Sequence, residues 1–591
     1  MISKITYFLC AAFMLYASFI FYPKWNKYGS ENTISYDAAG YYWYLPSLFI
    51  YKDLKHQAFN DSILKKYKPS GGIASGFKLD NGNYVLKYPC GLAIMSLPFF
   101  TIANIVAKPL GYPQDGFSPP YPLAIQIGGI LIALLGLWYF RKLLLLFYND
   151  AVVAISLFLL VFGTNYLDFG AINLGMTHSW LFTLYVFLIL NSYYFYKTPN
   201  YKYAIRIGLL IGFATLTRPT EIISALIPLL WGLEGISASI IKARFNFLLK
   251  QWKKIVATGI SAALIIFIQL SYWKYVSGHW LVYSYQGQGF SWKHPHVLVY
   301  ACNFLTGWLN YAPMIIFALI GIIPFVKYGK NKVAILAFIL INYYIVSAWD
   351  IWWYGGRAMI QSYPMLFFPF ATLIDIVLKR NYLKWITAPI ALLLVYFNLW
   401  LTYQEHGGSL FSVDNMSEAY YWRVVGRWQV PEQTIKLRDN PDLFEGEPKN
   451  LLLIYENNLE KGIPVDTTIR IVDGKKYISL DKQHQESAAY KFSYQTGKAK
   501  WLRAQASFSC TNKEWELWKM TQFIVHFYKS GKEVKVGMIR VYRFLNDGEN
   551  KELYIDIRVP HEDIDTAAVS FWNAESDKPI LIDNIKVWSF D

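Results

Sequence analysis

The chain has 591 residues; 54% are hydrophobic, only 16% are charged, and the formal net charge is +16. A soluble globular chain carries about 25% charge, so this composition excludes disorder, a collagen-like chain and a soluble basic nucleic-acid binder. Aromatic residues reach 18%, with 46 Tyr and 22 Trp, which suits a membrane protein whose Tyr and Trp rings settle at the lipid–water interface.

Residues 5–22 form an apolar run of spanning length. No small-residue cleavage site is evident, so it reads as an uncleaved first span and not as a signal peptide. The segment 23–121 is a large first loop, polar in the middle and amphipathic at its ends, and its stretch 91–107 reads as an interfacial helix. Further apolar runs lie near 122–140, 151–166, 174–195, 204–217, 220–236, 255–275, 313–326, 333–348, 364–378 and 385–402. About eleven spans are therefore expected within a membrane domain covering 1–402. Residues 403–449 read as a linker. From 450 to 591 the apolar pattern alternates with period two around a Lys529-Ser530-Gly531-Lys532 turn. That predicts antiparallel strands and a β-sandwich of jelly-roll type. Cys10, Cys90, Cys302 and Cys510 are scattered and specify neither a disulfide framework nor a zinc site.

Loop charge sets the orientation. With the N-terminus cytoplasmic, sixteen Lys and Arg fall in the inner loops at 141–142, 197–206, 242–254, 327–332 and 379–384. The short outer loops hold four: Arg218, Lys274, Lys293 and Arg357. The imbalance accounts for most of the positive charge without nucleic acid. With an odd number of spans, the C-terminal domain is extracytoplasmic.

Polar residues at span ends are costly in lipid and often functional, and the candidates here fall on the outer face. Asp37, in Ser35-Tyr36-Asp37-Ala38-Ala39-Gly40-Tyr41-Tyr42, is either a base near the membrane surface or the N-cap of a helix beginning at Ala38. Lys87, in Leu86-Lys87-Tyr88-Pro89, either meets a lipid phosphate or snorkels to the headgroups. Asp168 and His178 are titratable groups near the outer leaflet, with simple solvation or helix hydrogen bonding as the alternative. In Trp349-Asp350-Ile351-Trp352-Trp353-Tyr354-Gly355-Gly356-Arg357, followed by Gln361, an arginine beside two glycines and several aromatics suits phosphate and sugar contact. An aromatic belt with one basic anchor is the alternative.

The acid followed by paired tyrosines after the first span, the Lys-x-Pro segment before an interfacial helix and the series of short spans together resemble the GT-C glycosyltransferases. The bacterial branch related to dolichyl-phosphate-mannose protein mannosyltransferases is the nearest in pattern. The resemblance implies a sugar carried on a polyprenyl phosphate, with Asp37 at the reaction centre. It also implies Lys87 and Arg357 on the donor phosphate; Tyr41, Tyr42, Trp353 and Gln361 are the candidate substrate contacts. Two departures stand out: Ala38 replaces a second acid, and His178 stands where relatives open a span with Asp. Asp168 and His178 are then candidate supporting acid–base groups, and a two-carboxylate metal site lacks its motif.

The expectation is therefore a bacterial inner-membrane glycosyltransferase with an extracytoplasmic site, inverting, with Asp37 as base. Its partners would be a polyprenyl-phosphate sugar, a glycan, lipid or protein acceptor, and membrane lipids. No cofactor is required, and a divalent metal has no clear motif. The alternatives are a lipid-linked glycan flippase or transporter and a membrane-anchored glycan-binding protein. A flippase should place its polar groups at mid-membrane, and eleven spans exceed what an anchor needs.

Overall fold

The first helix, Ile2–Tyr16, runs on through a π turn at Ala17–Phe21. Its small residues explain its packing: Cys10, Ala11 and Ala17 are buried on the side where it meets helix Asp150–Gly163, because short side chains let helices approach closely. Ile5, Phe8, Leu9 and Ile20 on the same helix are exposed. The computed structural model that shows this describes residues 1–70, 76–350, 355–411, 416–460, 465–494, 497 and 499–591. The chain divides into two compact units, Met1–Gly407 and Gly408–Asp591.

Among the described residues of the first unit, five helices are long and apolar enough to cross a membrane: Ile2–Asn26, Pro120–Leu144, Trp252–Ser277, Arg357–Lys379 and Asn381–Gly408. Helices Gly91–Ala107, Asp150–Gly163, Pro219–Leu230, Ile315–Tyr328 and Lys332–Ala348 are apolar but shorter. Among the described residues, five helices thus have the length and composition of membrane spans, fewer than the eleven expected, and the helices fit a polytopic membrane protein. Helix Trp252–Ser277 leaves Ile260, Leu264, Phe267 and Ile268 exposed, a surface that lipid tails tolerate and water does not. Helix Arg357–Lys379 is mostly buried, so it sits among its neighbours.

The run 220–236, expected as one span, is broken. A 3-10 turn at Pro219–Ala225 leads into a short helix, Leu226–Leu230. Pro219 and Pro228 each lack a backbone N–H, and Gly232 has φ +82°, a value glycine adopts without strain.

The first loop folds against the bundle. Helices Tyr36–Tyr42, Tyr44–Phe49 and Asn60–Tyr67 precede a small hairpin of β1 (Phe77–Lys78) and β2 (Tyr84–Val85), and helix Gly91–Ala107 follows. Tyr42, Trp43, Phe59, Phe100, Phe117 and Tyr121 share its core. Helix Gly91–Ala107 starts where helix Tyr201–Thr217 ends, and the approach demands glycine. A Cβ on Gly91 would lie 2.5 Å from the Thr217 backbone nitrogen.

In the second unit the alternating segments are strands: β3 (Leu452–Asn457), β4 (Ile469–Val472), β5 (Lys475–Leu480), β6 (Tyr490–Ser493), β7 (Trp501–Cys510), β8 (Gln522–Lys529), β9 (Lys532–Arg540), β10 (Asn550–Arg558), β11 (Thr566–Trp572) and β12 (Ile580–Phe590). One antiparallel sheet has the order β10-β7-β12-β5-β4, with β3 also on β12, and the other has β6-β11-β8-β9. Along β7 the buried residues alternate, and Phe508 meets Phe523 of β8 and Phe571 of β11 at ring-centroid distances of 5.5 and 5.8 Å. The two sheets thus contribute to one apolar core. The Lys529–Lys532 turn closes the β8–β9 hairpin, with Ser530 at φ +49° and Gly531 at +78°. Two consecutive positive φ values match the twist of a two-residue hairpin.

Candidate active site

Asp37 lies in the first turn of helix Tyr36–Tyr42, but no side chain caps that helix. Both carboxylate oxygens are used elsewhere, so the capping alternative does not hold. The Tyr88 hydroxyl donates to Oδ1 at 2.6 Å, and the Arg357 guanidinium donates to Oδ2 at 2.7 Å. The pair is about one quarter exposed: 28% for the Asp37 side chain and 21% for that of Arg357.

Each partner is held by its own backbone. The segment 86–90 is pinned to helix Trp252–Ser277: the Leu86 N–H donates to the Tyr272 hydroxyl at 3.0 Å, and the Cys90 N–H donates to Gln269 Oε1 at 2.9 Å. The Tyr44 hydroxyl donates to the Tyr88 carbonyl at 2.6 Å, and the Ser284 hydroxyl to that of Lys87 at 2.6 Å. Lys87 therefore presents its ammonium between rings, 5.5 Å from the centroid of Tyr88 and 5.3 Å from that of Tyr285. Among the described residues this ammonium makes no ion pair or hydrogen bond.

Arg357 opens a 3-10 turn, Arg357–Ser362, after Gly355 and Gly356, whose φ values are +61° and +63°. The Asn165 amide donates to the Gly355 carbonyl at 2.6 Å, and Asn165 Oδ1 accepts from the Tyr363 hydroxyl at 2.6 Å. A Cβ on Gly356 would fall 2.4 Å from Trp308 Cβ. Glycine is required here for both conformation and space.

Charge gathers around Asp37. Burial pushes its carboxyl up, but Arg357, the Tyr88 hydroxyl, Lys87 and Arg218 together hold it below the usual carboxylate range. Burial lowers Lys87, and Asp37 opposes that shift. Arg218 lies against Tyr41, Glu221 and Tyr285. Tyr41 is buried with its ring 4.4 Å from that of Tyr88. One carboxylate thus faces three cationic side chains, an arrangement suited to receiving an anion beside a base.

A buried polar layer backs this site. Glu221 accepts from the Tyr185 hydroxyl at 2.5 Å and from Gln361 Nε2 at 3.1 Å, and it makes no ion pair among the described residues. His178 is fully buried, edge-on to Phe169, with neither ring nitrogen in hydrogen-bond geometry with another described residue. Arg218, Arg357 and Gln361 are its polar neighbours.

Of the residues expected at the site, the structure gathers Asp37, Lys87, Arg357 and Tyr41, with His178 and Gln361 behind them. Tyr42 turns away and donates to the Gly116 carbonyl at 2.5 Å within the loop core. Asp168 shares no hydrogen bond or ion pair with Asp37; it bonds Asn173 and His406 instead. Trp353 lies outside the described residues. Sequence reasoning passed over Tyr88, Arg218 and Glu221 as site residues. Glu221 carried a usable signal, an acid inside an apolar run.

No protein-family model matches the chain, and no curated protein matches it. Among solved structures, the cryo-EM structure of arabinosyltransferase EmbB from Mycobacterium smegmatis superposes with a TM-score of 0.30 and 10% identity. The match covers 84% of this chain and 59% of that one. A superposition at that level assigns no function.

Proposed function

We propose that the protein is a membrane glycosyltransferase of GT-C type, which moves a sugar from a polyprenyl phosphate to an acceptor hydroxyl outside the cytoplasm, with inversion. The observation that carries this reading is the Asp37–Arg357 pair with the Lys87 ammonium beside it, which makes no ion pair or hydrogen bond among the described residues. A phosphate arriving from the lipid is a strong partner for arginine and lysine. It draws Arg357 from Asp37, and the released carboxylate becomes more basic. Asp37 then takes the acceptor hydroxyl proton, the acceptor oxygen bonds to the anomeric carbon, and the bond from that carbon to the phosphate oxygen breaks. The electron pair leaves with the polyprenyl phosphate, whose charge Lys87 and Arg357 neutralise. In this reading the second unit is a jelly-roll sandwich that recruits acceptor.

The test is single-turnover transfer of radiolabelled lipid-linked sugar by purified full-length protein and its Asp37→Asn variant. Loss of transfer with retained donor binding is expected. Full activity in the variant would overturn the assignment of Asp37 as base.

A further inference from the structure

Three ligand-type side chains meet at a place the proposed transfer does not use. Asp168 opens the π turn Asp168–Ile172, and Glu405 and His406 belong to the π turn Gln404–Gly408 that ends the last apolar helix. His406 Nε2 lies 2.7 Å from Asp168 Oδ1 and 3.9 Å from Glu405 Oε2. One donor atom from each of the three lies within 4.8 Å of the others. Their side chains are dry: 3% exposed for Asp168, 9% for Glu405 and 7% for His406.

The surroundings fix these groups in place. The Asn173 amide donates to both Asp168 oxygens, at 2.9 and 3.0 Å, and its carbonyl accepts from Lys24 Nζ at 2.8 Å. The Tyr22 ring covers the imidazole with centroids 4.7 Å apart, and its hydroxyl donates to Glu31. A lone His–Asp pair needs one carboxylate. Here a second carboxylate lies 3.9 Å from the same nitrogen, and the nearby Lys24 ammonium is one positive charge shared by Asp168, Glu405 and Glu31; a divalent ion between the carboxylates would offset their mutual repulsion further.

We propose that Asp168, Glu405 and His406 bind one divalent first-row transition ion of the zinc or manganese class. The donor set is one imidazole nitrogen and two carboxylate oxygens, a mixture suited to those ions. The ion takes the place of the proton between His406 and Asp168. That proton leaves to solvent, and the Nε2 lone pair bonds the metal. The His406–Asp168 pair, now 2.7 Å apart, must open to about 3.0–3.4 Å to give metal–ligand distances of about 2.0–2.2 Å. The bound ion ties the end of the last apolar helix to the segment after helix Asp150–Gly163. It has no link to Asp37 and acts as a clamp.

The test uses tag-free, full-length protein in detergent, stripped with chelator and then titrated separately with ZnCl2, MnCl2, CaCl2 or MgCl2. Retained metal is counted by plasma mass spectrometry after desalting, and the thermal midpoint is followed in parallel. One Zn2+ or Mn2+ per chain and a raised midpoint are expected. His406→Gln keeps an N–H toward Asp168 but removes the imidazole. It and Asp168→Asn should each weaken retention at least about tenfold, while Asp37→Asn should retain metal fully even where transfer is lost. Three results would overturn the site: no ion held by the unaltered protein, equal retention in both ligand variants, or preference for Ca2+ or Mg2+. If the ligand variants do not fold, Co2+ added to the unaltered protein decides, since imidazole–carboxylate coordination gives visible absorption bands and their absence counts against the site.

Discussion

At the residue scale, the pairing of Asp37 with Arg357 makes a prediction about pH. In the resting protein Asp37 is held below the usual carboxylate range. A carboxylate of this kind adds stability that is fully present above its unfolded pKa of about 3.9 and is lost as pH falls through the lower folded value. In the proposed reaction, donor binding would remove Arg357 from Asp37 and let its pKa rise. The profile of kcat/KM reports the free enzyme and that of kcat the bound complex. The acid limb of kcat should therefore lie at higher pH than that of kcat/KM; coincident limbs would show that Arg357 stays on Asp37 throughout. Asp37→Asn should cost about 10²–10⁴ in transfer rate, as loss of a general base does. Its thermal midpoint should change little, because a partly exposed ion pair contributes at most about 1 kcal/mol. In the proposed reaction, Lys87→Met would remove a charge-assisted contact to the donor phosphate, of order 1.5–3 kcal/mol. It should weaken donor binding by roughly 10–100-fold, measured by competition with unlabelled donor, and leave the Asp37–Arg357 pair intact.

At the scale of elements, glycines hold the site together. Gly91→Ala would press a methyl group into the Thr217 backbone, and Gly356→Ala would press one into Trp308 and strain a positive φ. Each should cost about 1–3 kcal/mol by overpacking, read as a lower thermal midpoint, with Gly356→Ala also displacing Arg357 and reducing transfer. An unchanged midpoint in Gly91→Ala would mean that the two helices do not meet so closely. This scale also marks what the sequence could disclose. Asp37, Lys87 and Arg357 could be singled out because each is a charge in an outer loop near apolar segments, where a casual charge is costly, and the structure brings all three together. Tyr88 was not, since a tyrosine among 46 carries no signal of its own. Arg218 and Glu221 were obscured because the run 220–236 reads as a span, whereas its prolines break it into turns that face the site. Asp168 bonds Asn173 and His406 and not Asp37, which the sequence does not disclose. Periodicity puts it at the same end of the bundle as Asp37, but lateral position depends on how helices pack, and no pattern within one helix records that.

At the scale of the whole molecule, the division at Gly407–Gly408 predicts independence. Residues 408–591 expressed alone should be soluble and β-rich by circular dichroism; an insoluble or helical product would contradict the boundary. The expected orientation has its own test. A membrane-impermeant thiol reagent applied to intact cells should label a cysteine engineered in 440–460 and none in 242–254, and outside labelling at 242–254 would reverse the map. Finally, the two members of the Asp37–Arg357 pair stand 320 residues apart in the chain. A ribosome has delivered the base, the tyrosine that holds it and the lysine beside it long before the arginine emerges. Throughout that interval the carboxylate is present without its main counterion, and the centre becomes whole only when helix Arg357–Lys379 takes its place among helices already inserted. If the proposed reaction holds, a nascent or truncated chain displays the acid without the arginine and should not transfer sugar, and two separately made halves should regain transfer only by joining across that pair.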